Sequence, residues 1–204
     1  MISLFFYVPV LATSAINKSS SPIVNTVKQR VQRFARKHKI PGMAVALYVH
    51  DTPYVFHFGY ANREKKIPVT RNTLFEIGSI SKVFTCILIA QEILDGRMQL
   101  SDSISDHIPA LMQNKRLRTV TIEKLCTHTA ALPYDAPVGI SSKDGLIRHM
   151  AKWRPVTSQN IYRYSNHGIE LLRVALEEAN HKTINMLFTE RILADIRMRA
   201  KRFP

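Results

Sequence analysis

Residues 75–82 read Phe75-Glu-Ile-Gly-Ser-Ile-Ser-Lys82 and open a long apolar stretch that ends at Gly96. Val83, Phe84, Ile87, Ala90, Ile93 and Leu94 recur at helical spacing, which predicts a helix with Ser79 and Lys82 at its start. Residues three apart share one helical face, so the Lys82 amine can reach the Ser79 hydroxyl and help remove its proton. The helix N-terminus favours the negative charge that then develops. Ser-x-x-Lys alone arises by chance in many chains, so its meaning depends on what lies elsewhere.

Downstream, Arg163-Tyr-Ser-Asn166 supplies a second set of candidates. A tyrosine serves as a general base when neighbouring cations lower its pKa, which suits Tyr164. The amide of Asn166 both donates and accepts hydrogen bonds, as binding a substrate amide requires.

Upstream, residues 16–22 are polar and end in Ser-Pro, a linker into a helix with Val24, Val27, Val31 and Phe34 on its apolar face. Pro41-Gly42 stops that helix. Met43 to His50 and Tyr54 to Tyr60 read as strands around a turn at Asp51-Thr-Pro53, a hairpin that must belong to a larger sheet because two strands alone are marginal in water. Past Gly96 the signals are helical. Thr121 caps a short helix through Cys126, Ser142 or Lys143 opens another toward Trp153 that Pro155 breaks, and Ile169, Leu172, Val174 and Leu176 mark a further helical face. Helix, hairpin, then helices make a mixed α/β protein.

With 46% hydrophobic and 22% charged side chains, the 204 residues suit a globular chain. Lys and Arg number 29 against 15 acidic residues, for a net charge of +14, but they are spread along the chain; they read as a basic surface without a specific nucleic-acid partner. Cys86 and Cys126 have neither redox nor zinc spacing and read as small buried hydrophobes, with a mutual disulfide as the alternative. His128 and His167 lack ligand-spaced partners, so neither a metal nor a cofactor is expected. Residues 1–15 form a short apolar run ending in small residues, which predicts a signal peptide and linker over 1–22 and a domain over 23–204, although no Lys or Arg precedes the apolar run. No stretch reaches membrane-spanning length.

Several segments together resemble one family. Ile40-Pro-Gly-Met-Ala-Val-Ala46, Phe58-Gly-Tyr-Ala61, Pro68-Val-Thr, Leu74 to Thr85, Leu100-Ser-Asp102, Leu125-Cys-Thr-His-Thr-Ala130 and Tyr164-Ser-Asn166 are similar, in order, to segments of class C serine β-lactamases and their penicillin-binding-protein-like relatives, from about residue 23 to about residue 180. The resemblance implies a β-lactamase/transpeptidase-like α/β fold and a monomeric, exported, periplasmic hydrolase that acts on small-molecule β-lactams and confers antibiotic resistance. Ser79 would attack the β-lactam carbonyl, Lys82 and Tyr164 would handle its proton, and Asn166 would hold the substrate's side-chain amide. The Ser79 backbone N–H would be one oxyanion donor, and water activated near Tyr164 would hydrolyse the acyl-enzyme.

Two departures stand out. Asp135 occupies a position where the family often has a substrate-binding glutamine, and an ionised acid cannot donate. No Lys-Thr-Gly occurs, since Lys182-Thr183 is followed by Ile184, after which the resemblance fades into a basic tail. The expectation is a C-terminally truncated chain, lacking the C-terminal strands of the sheet and leaving the hairpin with an open edge and an uncovered face. Three readings follow: a serine β-lactamase; an inactive remnant, or a D,D-peptidase or esterase of the same pattern; and a basic non-enzymatic binding protein. The first is favoured because the matching motifs carry chemistry.

Overall fold

The computed structural model describes residues 22–135, 140, 142–154 and 160–195, with the backbone of 5–7 and 199–200. The leader expected over residues 1–22 therefore lies almost wholly outside the described residues, as does Pro155. The chain divides into two compact units, one of residues 5–76 with 197–204, the other chiefly of residues 77–196.

In the first unit, strand β1 (Phe5–Tyr7) lies between β5 (Phe75–Glu76) and β6 (Arg199–Ala200), antiparallel to both. Helix α1 (Pro22–Lys37) packs on a second sheet, in which β2 (Gly42–Val49), β3 (Thr52–Asn62) and β4 (Ile67–Pro68) follow one another antiparallel. The turn is tighter than the sequence suggests. His50 and Asp51 alone form it, both at positive φ, so Val49 pairs with Thr52 and Pro53 sits inside β3 opposite Tyr48. Proline is tolerated there because β4 pairs only with the far end of β3.

Gly42 faces Gly59 where the helix exit, both long strands and the segment after β4 converge. A Cβ on Gly59 would meet the Pro41 carbonyl oxygen, and its φ of +70° is itself the left-handed region that favours glycine. On α1 the buried residues are Val24 and Ala35; Phe34, expected inside, is 52% exposed and lies against His38. No residue of β2 or β3 is buried.

The second unit is built around α6 (Asn166–Asn180), which packs on α2 (Ser81–Leu94), α3 (Ile104–His107), α4 (Ile122–Cys126) and α7 (Ile184–Phe188). Helix α5 (Lys143–Ala151), capped by Ser142, packs beside Pro109–Leu111. Thr121 caps α4, as its sequence predicts. Leu171, Leu172, Val174 and Leu176 of α6 are fully buried with Leu88, Ile89, Leu125 and Phe188.

The buried face of α2 differs from the expected one. Thr85, Leu88, Ile89 and Glu92 face inward, whereas Val83 is 58% and Leu94 85% exposed. Apolar residues line most of this helix, so periodicity alone does not choose a face. Polar partners do: Thr85 bonds the Ser81 carbonyl, and buried Glu92 accepts from Arg97, Arg191 and Asn180. Cys86 and Cys126 are free, half-buried thiols on α2 and α4, so the alternative disulfide is not formed.

Candidate active site

Gly78 takes a φ of +52° with open space around its missing Cβ, so it serves the backbone turn rather than a close approach. That turn starts a single 3-10 turn (Gly78–Ile80) which runs directly into α2 and holds Ser79 just ahead of Lys82. Lys82 Nζ donates to Ser79 Oγ at 3.1 Å.

The second set of residues arrives along an extended segment zipped to a neighbouring loop. Asn160 N–H donates to the Thr129 carbonyl at 2.9 Å, Arg163 N–H to the His128 carbonyl at 2.7 Å, and Asn166 N–H to the Tyr134 carbonyl at 2.8 Å. Ser165 caps α6 by accepting from Gly168 N–H, and its hydroxyl donates to the Pro133 carbonyl at 2.6 Å. Held on this rail, the Tyr164 hydroxyl hydrogen-bonds Ser79 Oγ at 2.6 Å. Ser79, Lys82 and Tyr164, picked out by sequence, therefore converge on one oxygen.

Burial pushes the Tyr164 phenol up, but hydrogen bonds from Lys82 and Ser79 and the Lys82 charge outweigh it and hold the pKa below the ordinary tyrosine value; the Asp135 carboxylate opposes them. The Lys82 ammonium also lies 5.1 Å from the centre of the Tyr164 ring. A serine oxygen flanked by an amine and a phenol of lowered pKa can pass its proton away without a histidine or carboxylate base.

Asn166 does not stand free. Its Nδ2 donates to Asp135 Oδ1 at 2.6 Å, so the acid at the doubtful position holds the residue expected to bind substrate.

His128 carries more than its sequence suggested. At a φ of +59° its Nδ1 accepts the Ser165 N–H at 3.2 Å, and its ring lies 4.6 Å from that of Tyr164. Burial and the Lys82 charge both lower its pKa, which suits a neutral ring with Nδ1 free to accept. The only sequence trace of this role is its place in Leu125-Cys-Thr-His-Thr-Ala130. Among the described residues no three of His, Cys, Asp or Glu gather as metal ligands, and no helix is long and apolar enough to cross a membrane.

A family model described as Beta-lactamase matches residues 27–203, past the point where the quoted segments stop. A beta-lactamase of Escherichia coli (strain K12) is 37% identical over 166 residues, covering 79% of this chain and 44% of that protein. Among solved structures, a class C beta-lactamase is similar at 29% identity and a TM-score of 0.79, with 88% of this chain and 50% of that one covered. A beta-lactamase/D-alanine carboxypeptidase from Pseudomonas syringae is similar at 27% identity and a TM-score of 0.77, with 85% and 49% covered. The chain spans about half the length of the proteins it matches.

Proposed function

The chain belongs to the β-lactamase family and has its α/β, β-lactamase/transpeptidase-like fold, and on that premise we propose that it is a serine hydrolase of the class C type that opens β-lactams through an acyl-enzyme on Ser79. The observation that carries this reading is the convergence of Lys82 and Tyr164 on Ser79 Oγ, at 3.1 and 2.6 Å.

Ser79 Oγ bonds to the β-lactam carbonyl carbon while its proton passes to an ionised Tyr164 kept so by Lys82. The Ser79 backbone N–H stabilises the oxyanion at the helix start. As the carbon–nitrogen bond breaks, Tyr164 returns the proton to the leaving nitrogen. Water then enters beside Tyr164, loses a proton to it and attacks the acyl carbon; as the ester bond breaks, Tyr164 passes that proton to Ser79 Oγ and the acid leaves. Asn166 lines the end of the pocket that receives the acyl side chain. An exported, periplasmic monomer bearing antibiotic resistance fits this activity.

The name of the Pseudomonas syringae relative favours a second reading, in which the same acyl-enzyme forms on a peptide ending in D-alanine. A chromogenic cephalosporin and a D-alanyl-D-alanine peptide, each followed for product release, separate the two. Hydrolysis of the cephalosporin, lost in Ser79→Ala, supports the β-lactamase reading; release of D-alanine alone supports the peptidase; neither product supports an inactive chain.

A further inference from the structure

Beside Asn166 the exposed surface carries a carboxylate, Asp135. Asp135 is exposed, and its carboxylate, which can only accept, fixes the Asn166 amide by taking a hydrogen bond from Nδ2 at 2.6 Å. Asn166 Oδ1 is thereby turned away from Asp135 and stays an acceptor, while the Asp135 carboxylate keeps its negative charge and has acceptor capacity beyond the one bond to Asn166. Tyr134, 58% exposed and next to Asp135 in the chain, holds its ring tilted at 36° to that of Tyr164, with the centres 5.6 Å apart. Asp135 holds Asn166, two positions after Tyr164, and follows Tyr134, whose ring centre lies 5.6 Å from that of Tyr164, so its carboxylate sits on the Tyr164 side of the site.

We propose that Asp135 is a specificity-determining residue that selects substrates bearing a cationic amine on the acyl side chain, close to the carbonyl that Ser79 attacks. An ammonium supplies three donors and a positive charge, which match the Asp135 carboxylate and Asn166 Oδ1. A neutral side chain gains none of the charge interaction. A carboxylate at the same place meets Asp135 as a like charge and is disfavoured. The inference rests on the proposed reaction for the position of the acyl group, but the preference itself is one of binding and does not need turnover.

Three penicillins with the same phenyl group test it: the aminobenzyl, benzyl and carboxybenzyl forms, which differ only in an ammonium, a hydrogen or a carboxylate on one carbon. Their binding to the Ser79→Ala chain is measured by titration calorimetry at about pH 6, where the amine is protonated, so that acylation plays no part. Ser79 and Asp135 are both exposed, and neither substitution removes core packing.

The aminobenzyl form is expected to bind about fivefold more tightly than the benzyl form, and the carboxybenzyl form more weakly still. Adding Asp135→Asn should bring all three within about twofold. Equal binding in Ser79→Ala, the same ranking after Asp135→Asn, or no binding of any of the three overturns the proposal. If the ranking holds but wild-type Ser79 is never acylated, the specificity stands and the hydrolase reading fails.

Discussion

Tyr164 and Ser79, 85 positions apart in sequence, meet oxygen to oxygen at 2.6 Å. Removing that hydroxyl with Tyr164→Phe leaves the ring in place beside His128 and Tyr134 but takes away the proton carrier. Acylation of Ser79 by a penicillin is expected to slow by about 100- to 10,000-fold, as rapid-quench mass spectrometry would read. An unchanged rate removes Tyr164 from the mechanism.

The same tyrosine sets a pH dependence. Its pKa is held below the ordinary value, so the active, ionised form accumulates as pH rises through that depressed pKa, and the rising limb of the acylation profile lies below the ordinary phenol range near pH 10. In Lys82→Ala the lowering hydrogen bond and charge are gone, and the limb should move upward. A limb that stays put would show that Lys82 does not tune Tyr164.

His128 is expected to act as a positioning residue. It sits at a φ of +59° and accepts the Ser165 N–H, so a replacement needs both an acceptor and tolerance of the left-handed region. Asparagine has both. His128→Asn should keep acylation within about threefold, whereas His128→Val, β-branched and without an acceptor, should lose about 2 kcal/mol of stability in urea titration and slow acylation further. Equal behaviour of the two variants would refute the role.

His167 is the acid-sensitive point of the second unit. It is 1% exposed, both ring nitrogens lack hydrogen-bond partners among the described residues, and it stacks on His149 at 5.4 Å. Burial first, then the His149 charge, push its pKa down to about 4, against a smaller opposing pull from Asp135. The depressed value means that the unfolded chain protonates first. The stability due to the neutral ring is complete above the ordinary histidine value near 6.5 and is lost as pH falls from there toward 4, by about 3 kcal/mol in all. Urea midpoints across this window should fall in the wild type and flatten in His167→Leu; parallel slopes would exclude His167 as the source.

Much of this was legible in the sequence because local chemistry announced it. The caps at Thr121 and Ser142, the stop at Pro41-Gly42 and the spacing of Ser79 and Lys82 each depend on residues a few positions apart. Tyr164 and Asn166 were legible only because their type and order complete a chemistry that Ser79 and Lys82 begin. What periodicity missed was decided by distant partners. The inward face of α2 follows Glu92, whose bonds to Arg97, Arg191 and Asn180 come from three parts of the chain. On α1 the face turned inward carries Val24 and Ala35, while Phe34, one position before Ala35, stays exposed. The roles of His128 and Asp135 arise from hydrogen bonds spanning 37 and 31 positions, which no local pattern encodes.

The central claim is that Ser79 is a nucleophile primed by Lys82 and Tyr164. Incubation with benzylpenicillin followed by peptide-mapping mass spectrometry tests it most directly. The account predicts a single adduct of one penicillin mass on the peptide containing Ser79, absent from Ser79→Ala and strongly slowed in Tyr164→Phe. An adduct that survives Ser79→Ala, or a wild-type chain that acquires none, would contradict it.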